Sequence, residues 1–154
     1  MATIDVVPVT SMDDLHEALA VRFRVFVDEQ GVPADEEIDA YDASPTGDTG
    51  SEALHIIARA DGATVGAARL LLDAPAGGAV HLGRVAVLTA WRRSGVGNAL
   101  MERLHGEARA RGFVRVEISA QTHAIPFYER LGYLVEGPVY LEAGIEHCAM
   151  HFTL

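Results

Sequence analysis

Two adjacent arginines stand immediately before two closely spaced glycines in the segment Arg92-Arg93-Ser94-Gly95-Val96-Gly97. A strand-like apolar run precedes the segment, and a helical pattern follows it. The N-terminus of a helix presents unpaired amides and the positive end of the helix dipole, and glycines let the backbone approach a bulky phosphate. Together with the permanent charges of the two arginines, the segment predicts a binding site for a phosphate or pyrophosphate group.

Two common nucleotide-binding patterns do not fit this segment. A dinucleotide-binding loop reads G-x-G-x-x-G, but Gly97 is followed by Asn98, Ala99 and Leu100. A P-loop requires a lysine, and the 154-residue chain has none. A nucleotide-phosphate site would therefore rest on the glycines alone.

The first third of the chain predicts a strand, a helix and an acidic loop. Ser11, followed by two aspartates, predicts the N-cap of a helix that ends near Gln30, before Gly31 and Pro33. Residues 34–52 are acidic and rich in turn formers, which indicates a long surface loop with one short helical turn.

Apolar periodicity in the remaining chain predicts the elements that hold the phosphate segment, which comprises Arg92 to Gly97. Asp61-Gly62 is suited to a tight hairpin turn between two strands. A third strand precedes the phosphate segment, and the helix after it is expected to run from Gly95 to Arg111. A strand, a short helix and two apolar strands follow. The predicted order is β-α-loop-β-β-β-α-β-α-β-β, in a single domain of residues 1–154.

Two motifs resemble those of the GNAT (GCN5-related N-acetyltransferase) superfamily. The segment from Arg92 to Gly97 matches the R/Q-x-x-G-x-G/A motif, and QTHAIPFYERLGY, from Gln121 to Tyr133, is similar to the second GNAT signature. With the element order, the resemblance covers most of residues 55–154. It implies an α/β (α+β) acyl-CoA N-acyltransferase fold, with a mixed central sheet of six to seven strands flanked by helices.

The N-terminal third is similar to a narrower branch, the ElaA-like GNAT proteins. The similarity lies in RFRVFVDEQGVP at residues 22–33, the DEEID that follows, and the tail from Glu142 to Met150. One position departs from the superfamily pattern. Many GNAT proteins have Asn seven residues before the motif tyrosine, where this chain has the longer amide Gln121.

The resemblance implies that acetyl-CoA is the acyl donor. In GNAT enzymes the strand before the phosphate loop is splayed from its neighbour, and its backbone pairs with the pantetheine arm of coenzyme A. The residues that the match assigns to the cofactor are Val85, Ala86, Val87, Arg92, Arg93, Ser94, Gly95, Val96, Gly97, Asn98, Gln121 and Phe127.

Catalytic roles also follow from the resemblance. Tyr128 matches the motif tyrosine that protonates the departing thiolate, and a phenol with an ordinary pKa of about 10 is protonated at neutral pH. The base that removes the amine proton stays open among His81, Glu117, Glu29, His147 and a water chain. His147 is the first choice because it lies in the branch-specific tail.

The acidic loop from Asp35 to Asp42 has two interpretations. Its field could select a cationic amine, which would make Glu36 and Glu37, with Glu29 nearby, substrate-binding residues. The loop could instead belong to a generally acidic surface, and the net charge of the chain favours this second interpretation.

The charge of the chain limits its partners. The 22 acidic residues exceed the 12 basic residues, all of them Arg, and the formal charge of −10 disfavours nucleic-acid binding. Acidity without Lys resembles proteins from salt-loving organisms, which suggests a halophilic source. Codon bias towards Arg would explain the missing Lys but not the acidity.

Location and assembly are also constrained by composition. No run approaches about 20 apolar residues, and the start of the chain lacks a secretory pattern, so a cytoplasmic protein without a membrane span is expected. Cys148, the single cysteine, is expected in the core, and no metal site is predicted. The apolar tail CAMHFTL permits a homodimer.

The function that this reading favours is acetyl transfer from acetyl-CoA to a primary amine of an unidentified small molecule or peptide. Two alternatives stay open. One is a non-catalytic acyl-CoA-binding sensor or interaction module of GNAT fold. The other is an acyltransferase with a different acceptor, similar to acyl-homoserine-lactone synthases, which share an R-x-x-V-F run such as Arg22 to Phe26 in the first helix.

Overall fold

The computed structural model describes residues 3–45 and 52–154 of the chain. Within these residues, strands form one seven-stranded sheet in the order β1-β2-β3-β4-β5-β7-β6. The strands are β1 Ile4–Pro8, β2 Ala53–Ala60, β3 Ala63–Leu71, β4 Ala79–Val87, β5 Arg115–Gln121, β6 Leu134–Glu142 and β7 Ile145–Thr153. Neighbours are antiparallel except β4 and β5, which are parallel. The mixed sheet predicted from the sequence is confirmed.

The helices follow the predicted order. They are α1 Met12–Arg22, α2 Ala34–Glu37, α3 Val96–Ala110 and α4 Ile125–Arg130. The Ser11 hydroxyl accepts a hydrogen bond from the Asp14 amide at 3.1 Å, so the predicted N-cap is present. Asp61 and Gly62 both have positive φ, as the tight turn between β2 and β3 requires.

The first helix departs from the uniform helix that the sequence predicts. After Arg22 the chain continues as a π-helix over Phe23–Glu29. Such wider turns are frequent at functional sites. Val25 and Phe26 within this turn, and Gln30 after it, line the central cavity of the protein.

Helices cover both faces of the sheet over β2, β3 and β4. Leu100 and Leu104 of α3 pack into a large apolar cluster on one face. Leu15 and Val21 of α1 pack on the other face, against Ile57 of β2. Burying each such leucine side chain contributes roughly 1.5–3 kcal/mol. The sheet between these layers is the rigid part from which the functional residues project.

The opposite edge of the sheet is bare. Every residue of β6 is exposed, although several are apolar. Leu134, Val139 and Leu141 each leave more than half of their surface in contact with solvent. Cys148, in the adjacent strand β7, is buried as expected.

A β-bulge interrupts β4. Arg69 of β3 pairs with Gly83 and Ala67 pairs with Ala86, so Ala68 faces two residues, Arg84 and Val85. The extra residue reverses the alternation of the strand. Leu82 therefore packs on the α3 side of the sheet, whereas Ala86 packs on the α1 side.

The acidic segment, Ala34 to Asp42, is more structured than the surface loop that the sequence predicts. It contains α2 and a 3₁₀ turn at Ala40–Asp42. Glu37 and Asp42 are buried, so the sequence-based expectation of a surface location is wrong for these two side chains. Residues 46–51 of the predicted loop lie outside the described residues.

Candidate active site

β4 and β5 separate part-way along their length. Their parallel pairing extends from Ala79 and Arg115 to His81 and Glu117, and both strands continue beyond it without pairing to each other. The backbone of β4 from Leu82 to Val87 therefore faces a cleft on its β5 side. This is the splayed arrangement that the resemblance implies.

A cavity of about 860 Å³ occupies the cleft and the space beside it. It is bounded by the π-helix, the acidic segment, β4, the start of α3, the end of β5 and the β6-β7 hairpin. Of the predicted site residues, Val85, Val87, Arg92, Arg93, Gly95, Gly97, Asn98, Gln121, Phe127, Tyr128, Glu36, Glu37 and His147 line it. The volume is of the size that holds small-molecule ligands.

Four predicted site residues lie elsewhere. Ala86 is buried on the α1 side of the sheet because of the bulge, so its side chain cannot reach the cavity. Val96 is buried against β3, where a Cβ at Gly66 would come within 2.8 Å of it. The hydroxyl of Ser94 donates a hydrogen bond to the Trp91 carbonyl. Glu29 is held at the phosphate segment. Backbone contacts remain the only role open to Ala86 and Val96.

The phosphate segment has the geometry of an anion site. Gly95 precedes α3 with a φ of +90°, and Arg93 also lies in the left-handed region, with a φ of +63°. The first intrahelical bond runs from the Ala99 amide to the Gly95 carbonyl, which leaves the preceding amides of α3 free for a ligand. A Cβ at Gly97 would lie 3.1 Å from Cζ of Phe127, closer than an ordinary contact, so a side chain there would require the Phe127 ring to shift.

The two arginines of this segment are held differently. Arg92 donates through Nε to the Val87 carbonyl at 3.0 Å, and its Nη2 lies 2.8 Å from a Glu29 carboxylate oxygen. The hydrogen bond from Arg92 lowers the pKa of Glu29. No described residue forms an ion pair or hydrogen bond with the side chain of Arg93. Glu29, predicted to bind substrate, therefore lies beside the phosphate segment, against Arg92 and Thr89, and does not line the cavity.

Tyr128 projects from α4 into the cavity and is otherwise enclosed. Its ring packs edge-on against Phe127 and Tyr133, at centroid distances of 5.1 and 5.6 Å. Burial raises the pKa of Tyr128 to about 12, so the phenol is protonated throughout the neutral range. None of the described residues hydrogen bonds with its hydroxyl group, which leaves that group free to donate to a ligand.

His147 reaches the cavity from β7. Its Nδ1 lies 2.7 Å from the Ile145 carbonyl, an acceptor, so Nδ1 carries the proton. Nε2 of the neutral ring then has a free lone pair, and a Glu142 carboxylate oxygen lies 3.6 Å from it. This geometry suits a group that accepts a proton and is then stabilised by a neighbouring carboxylate. Of the other candidate bases, His81 also lines the cavity, whereas Glu117 does not and lies 3.4 Å from Nε of Arg115.

Gln121 makes a contact that its sequence position does not reveal. Its side-chain amide and that of Gln30 exchange two hydrogen bonds, of 2.7 and 3.0 Å, between the end of β5 and the end of the first helix. Both residues line the cavity. A contact between Gln121 and coenzyme A would have to coexist with this pair or replace it.

The acidic segment is joined to the sheet by three arginines. Arg22 of α1 binds both carboxylate oxygens of Asp42, at 2.7 and 2.9 Å. Arg69 of β3 lies 3.1 Å from Asp42 and forms a second, two-bond pair with Asp39. Three guanidinium groups thus meet three carboxyl groups once Arg84 and Glu37 are included.

Glu37 lies at the centre of this charge cluster. Its Oε2 is 3.2 Å from Nη2 of Arg22 and 2.9 Å from Nε of Arg84. Burial raises the pKa of Glu37, and the charges of Arg22 and Arg84 oppose that rise. For Asp42, burial also acts to raise the pKa, but the hydrogen bonds and charge of Arg22 prevail and lower it to about 2. Glu37 is therefore engaged within the protein, while the exposed Glu36 faces the cavity.

Sequence reasoning missed the three arginines of this cluster. Arg69 and Arg84 interrupt the apolar strand runs AARLLL and HLGRVAV, and Arg22 follows the apolar stripe of α1. A charged residue at a position that the periodicity assigns to the interior indicates a buried partner of opposite charge. The adjacent acidic segment was the available source of such partners.

Neither a membrane-spanning helix nor a metal-binding cluster is found among the described residues. No helix in residues 3–45 or 52–154 is both long and apolar enough to cross a membrane. The same residues contain no group of three or more His, Cys, Asp or Glu side chains arranged to hold a metal ion.

The sequence is similar to known proteins over most of its length. The sequence profile of the acetyltransferase (GNAT) domain matches residues 28–154. The uncharacterized N-acetyltransferase YjcF of Bacillus subtilis is 37% identical over 139 residues, which cover 90% of this chain and 91% of that protein. ElaA of Escherichia coli is 34% identical over 141 residues, covering 91% and 88%.

Solved structures share the fold over nearly the whole chain. An acyl-CoA N-acyltransferase from Pseudomonas aeruginosa superposes with a TM-score of 0.79 at 32% identity, covering 98% of this chain and 99% of that one. The crystal structure of Escherichia coli ElaA gives a TM-score of 0.78 at 28% identity, with the same coverage.

Proposed function

Because the chain belongs to the GNAT acetyltransferase family, we propose that it transfers an acetyl group from acetyl-CoA to a primary amine of a small molecule or peptide. One observation carries the proposal. The cleft between β4 and β5 leads from the free amides at the start of α3 to the unpaired hydroxyl of Tyr128. A long donor with a phosphate group at one end and a reactive thioester at the other fits such a path.

The donor would be bound mainly by backbone groups. The amides at the start of α3 and the guanidinium of Arg93 would hold the pyrophosphate, and the β5-facing backbone of Val85 to Val87 would pair with the pantetheine arm. Arg92 would contribute less charge, because Glu29 already neutralises part of it. Gln121 and Phe127 would contact the arm near its reactive end.

The chemical step would be direct transfer. The lone pair of the neutral amine attacks the thioester carbonyl carbon, the C–N bond forms, and the C–S bond then breaks. The thiolate takes a proton from the Tyr128 hydroxyl, and the nitrogen loses a proton to a base. His147 would be that base through Nε2, with Glu142 stabilising the resulting imidazolium. The imidazolium of His147 would then return its proton to the Tyr128 phenolate through water, which restores both groups for the next turnover.

Calorimetric titration with acetyl-CoA and free CoA, at low and at molar salt, tests the donor site. We expect micromolar binding that weakens in an Arg92→Ala, Arg93→Ala double variant. No binding by the native protein at either salt concentration would contradict the proposal.

Turnover with a panel of primary amines, followed by release of free thiol, tests the chemistry. Replacing Tyr128 with Phe should lower kcat about 100-fold and leave the affinity for acetyl-CoA unchanged, because the hydroxyl acts on the leaving group. Binding without thiol release for every amine would instead support an acyl-CoA-binding sensor.

The selectivity of the acceptor site is a further part of the proposal. Glu36 and Glu142 are the carboxylates that line the cavity without being enclosed by arginines, so they would attract a cationic amine before it loses its proton. Changing Glu36 to Gln should raise KM for the amine and leave kcat unchanged. An unchanged KM would remove Glu36 from the acceptor site.

Assembly and environment complete the proposal. The exposed apolar residues of β6 would be covered by a second copy of the chain in a homodimer, which sedimentation of the native protein and of a Leu141→Asp variant would test. The protein would act in the cytoplasm, and its acidic composition supports a halophilic source. Activity that fails to rise from low to molar salt would contradict the halophilic part.

A further inference from the structure

Arg84 holds an unusual backbone conformation at the point where β4 faces the cleft. Its φ of +52° lies in the left-handed region, although it is neither glycine nor asparagine. A residue with a side chain is strained in this region, because its Cβ comes too close to the following carbonyl oxygen. Because the conformation is maintained in the middle of a strand, other contacts must stabilise it.

Those contacts come from the acidic segment. The Arg84 guanidinium lies 2.9 Å from the Glu37 carboxylate, donates from Nη2 to the Glu37 carbonyl at 3.2 Å, and lies 3.5 Å from Asp39. Both the side chain and the main chain of Glu37 therefore hold the same guanidinium. The bulge is fixed by a segment that is distant from it in sequence.

The acidic segment is itself fixed to the rest of the protein. Arg22 binds the Glu37 carboxylate and the Glu37 carbonyl, and it also binds Asp42. Arg69 connects Asp42 and Asp39 to β3, the strand that pairs with the bulge. The bulge and its support are thus parts of one cross-linked unit.

This unit meets the cavity beside the separated strands. Arg84, Val85 and Glu37 all line it, and the β5 side of the bulge has no strand partner. In the proposed reaction the pantetheine arm pairs with the backbone of Val85 to Val87, so the bulge is at the end of that stretch away from the phosphate segment, where the thioester would lie. Hydrogen-bond donors stabilise a developing oxyanion only when their position is accurate to within about 0.5 Å.

We propose that Glu37 and Arg84 form a clamp that positions the β4 bulge so that its backbone amide donors polarise the thioester carbonyl. Arg84 is a positioning residue, and Glu37 acts through Arg84 rather than by binding the amine. This inference rests on the proposed function, because it assigns the clamp a role in polarising the acyl group of acetyl-CoA.

Three variants test the clamp. Glu37→Gln removes the charge that holds Arg84. Arg84→Gly removes the guanidinium but tolerates the positive φ, so this variant folds with the bulge permitted and no longer anchored. Asp35→Asn is the matched control, because Asp35 lies in the same short helix, is exposed and does not line the cavity.

The probe is acetyl-CoA labelled with ¹³C at the thioester carbonyl, whose stretching frequency is read by difference infrared spectroscopy. In the native complex we expect a shift to lower frequency relative to free acetyl-CoA, because the bulge polarises the carbonyl. The shift should be lost in Glu37→Gln and Arg84→Gly and retained in Asp35→Asn. Calorimetry should give dissociation constants within about threefold of the native value in all three variants.

Turnover gives a second readout. With an amine accepted by the native protein, both clamp variants should lower kcat roughly 10- to 100-fold and leave KM for the amine unchanged. A raised KM with an unchanged kcat in Glu37→Gln would overturn the clamp and restore Glu37 as a substrate-binding residue. A retained infrared shift in Arg84→Gly would also overturn it, and this result decides the matter if Glu37→Gln does not fold.

The outcomes separate the clamp from the proposed function. Native protein that binds acetyl-CoA and shifts its carbonyl frequency, with variants that do the same, contradicts only the clamp. Native protein that does not bind acetyl-CoA contradicts the proposed function, and the clamp with it.

Discussion

Arginines serve two regions of this protein in different ways. Arg92 and Arg93 precede α3 at the surface, where the Arg92 side chain is 41% exposed. Arg22 and Arg69 are 2% and 5% exposed and are surrounded by carboxylates. The surface pair retains capacity to bind a ligand, whereas the buried group has used its capacity to hold the acidic segment against the sheet. Burial, rather than residue type, decides whether a guanidinium acts on ligands or on the fold.

Removing one carboxylate that the buried arginines share should have the largest effect on the stability of the fold. Asp42→Asn should lower the free energy of unfolding by roughly 3–5 kcal/mol, because Arg22 and Arg69 each lose one of their anionic partners in a buried site. Urea unfolding of the variant measures the loss. Asp35→Asn, an exposed change in the same segment, should stay within about 0.5 kcal/mol of the native value. Equal stabilities for the two variants would show that the buried cluster does not support the fold.

Acid should affect the buried cluster through the same carboxylate. The folded-state pKa of Asp42 is about 2, below the ordinary value of 3.8, so its ionised form stabilises the fold. That contribution, on the order of 2 kcal/mol, is complete above about pH 4 and is lost as the pH falls through 2. Comparing the pH dependence of unfolding in the native protein and in Asp42→Asn isolates it. Parallel curves for the two proteins over this range would be the contrary result.

Arg92 and Arg93 should contribute unequally to the affinity for CoA. Arg93→Ala should weaken CoA binding about tenfold, equivalent to about 1.4 kcal/mol, because no described residue competes for its charge. Arg92→Ala should weaken binding by less, because Glu29 already neutralises part of its charge. Calorimetry at one fixed salt concentration compares the two variants. A larger loss for Arg92 would reverse the assignment.

The smallest expected effect concerns Glu29. Glu29→Gln frees the Arg92 guanidinium and removes a negative charge near the phosphate segment, so CoA should bind about two- to threefold more tightly at low salt. The gain should disappear at molar salt, where exposed charges are screened. Weaker binding in this variant would show that Glu29 serves to orient Arg92 for the phosphate.

Local signals account for what the sequence predicted well. The N-cap at Ser11, the hairpin turn at Asp61 and the start of α3 near Gly95 each depend on residues that are close in sequence. Periodicity then located the strands and helices. The mixed sheet came mainly from the family resemblance, because pairing between β4 and β5 joins segments with a whole helix between them.

Contacts between residues distant in sequence account for the features that the sequence did not predict. The partners of Arg22 lie 15 and 20 residues away, and Gln121 pairs with Gln30 across 91 positions. The π-helix at Phe23–Glu29 carries no distinct signal, because its composition also suits an α-helix. Glu37 lines the cavity, but its engagement by two arginines depends on three elements coming together.

The bulge in β4 also determines the face of the sheet on which each later side chain of the strand lies. Residues before it and residues after it at even spacing face opposite sides of the sheet, as Leu82 and Ala86 do. If the same residues followed simple alternation from Leu82 without a bulge, Val85 and Val87 would face the α1 side and Ala86 the α3 side. The phosphate segment would then leave the strand rotated by half a turn. The extra residue in β4 therefore determines the face of the sheet on which the phosphate segment begins.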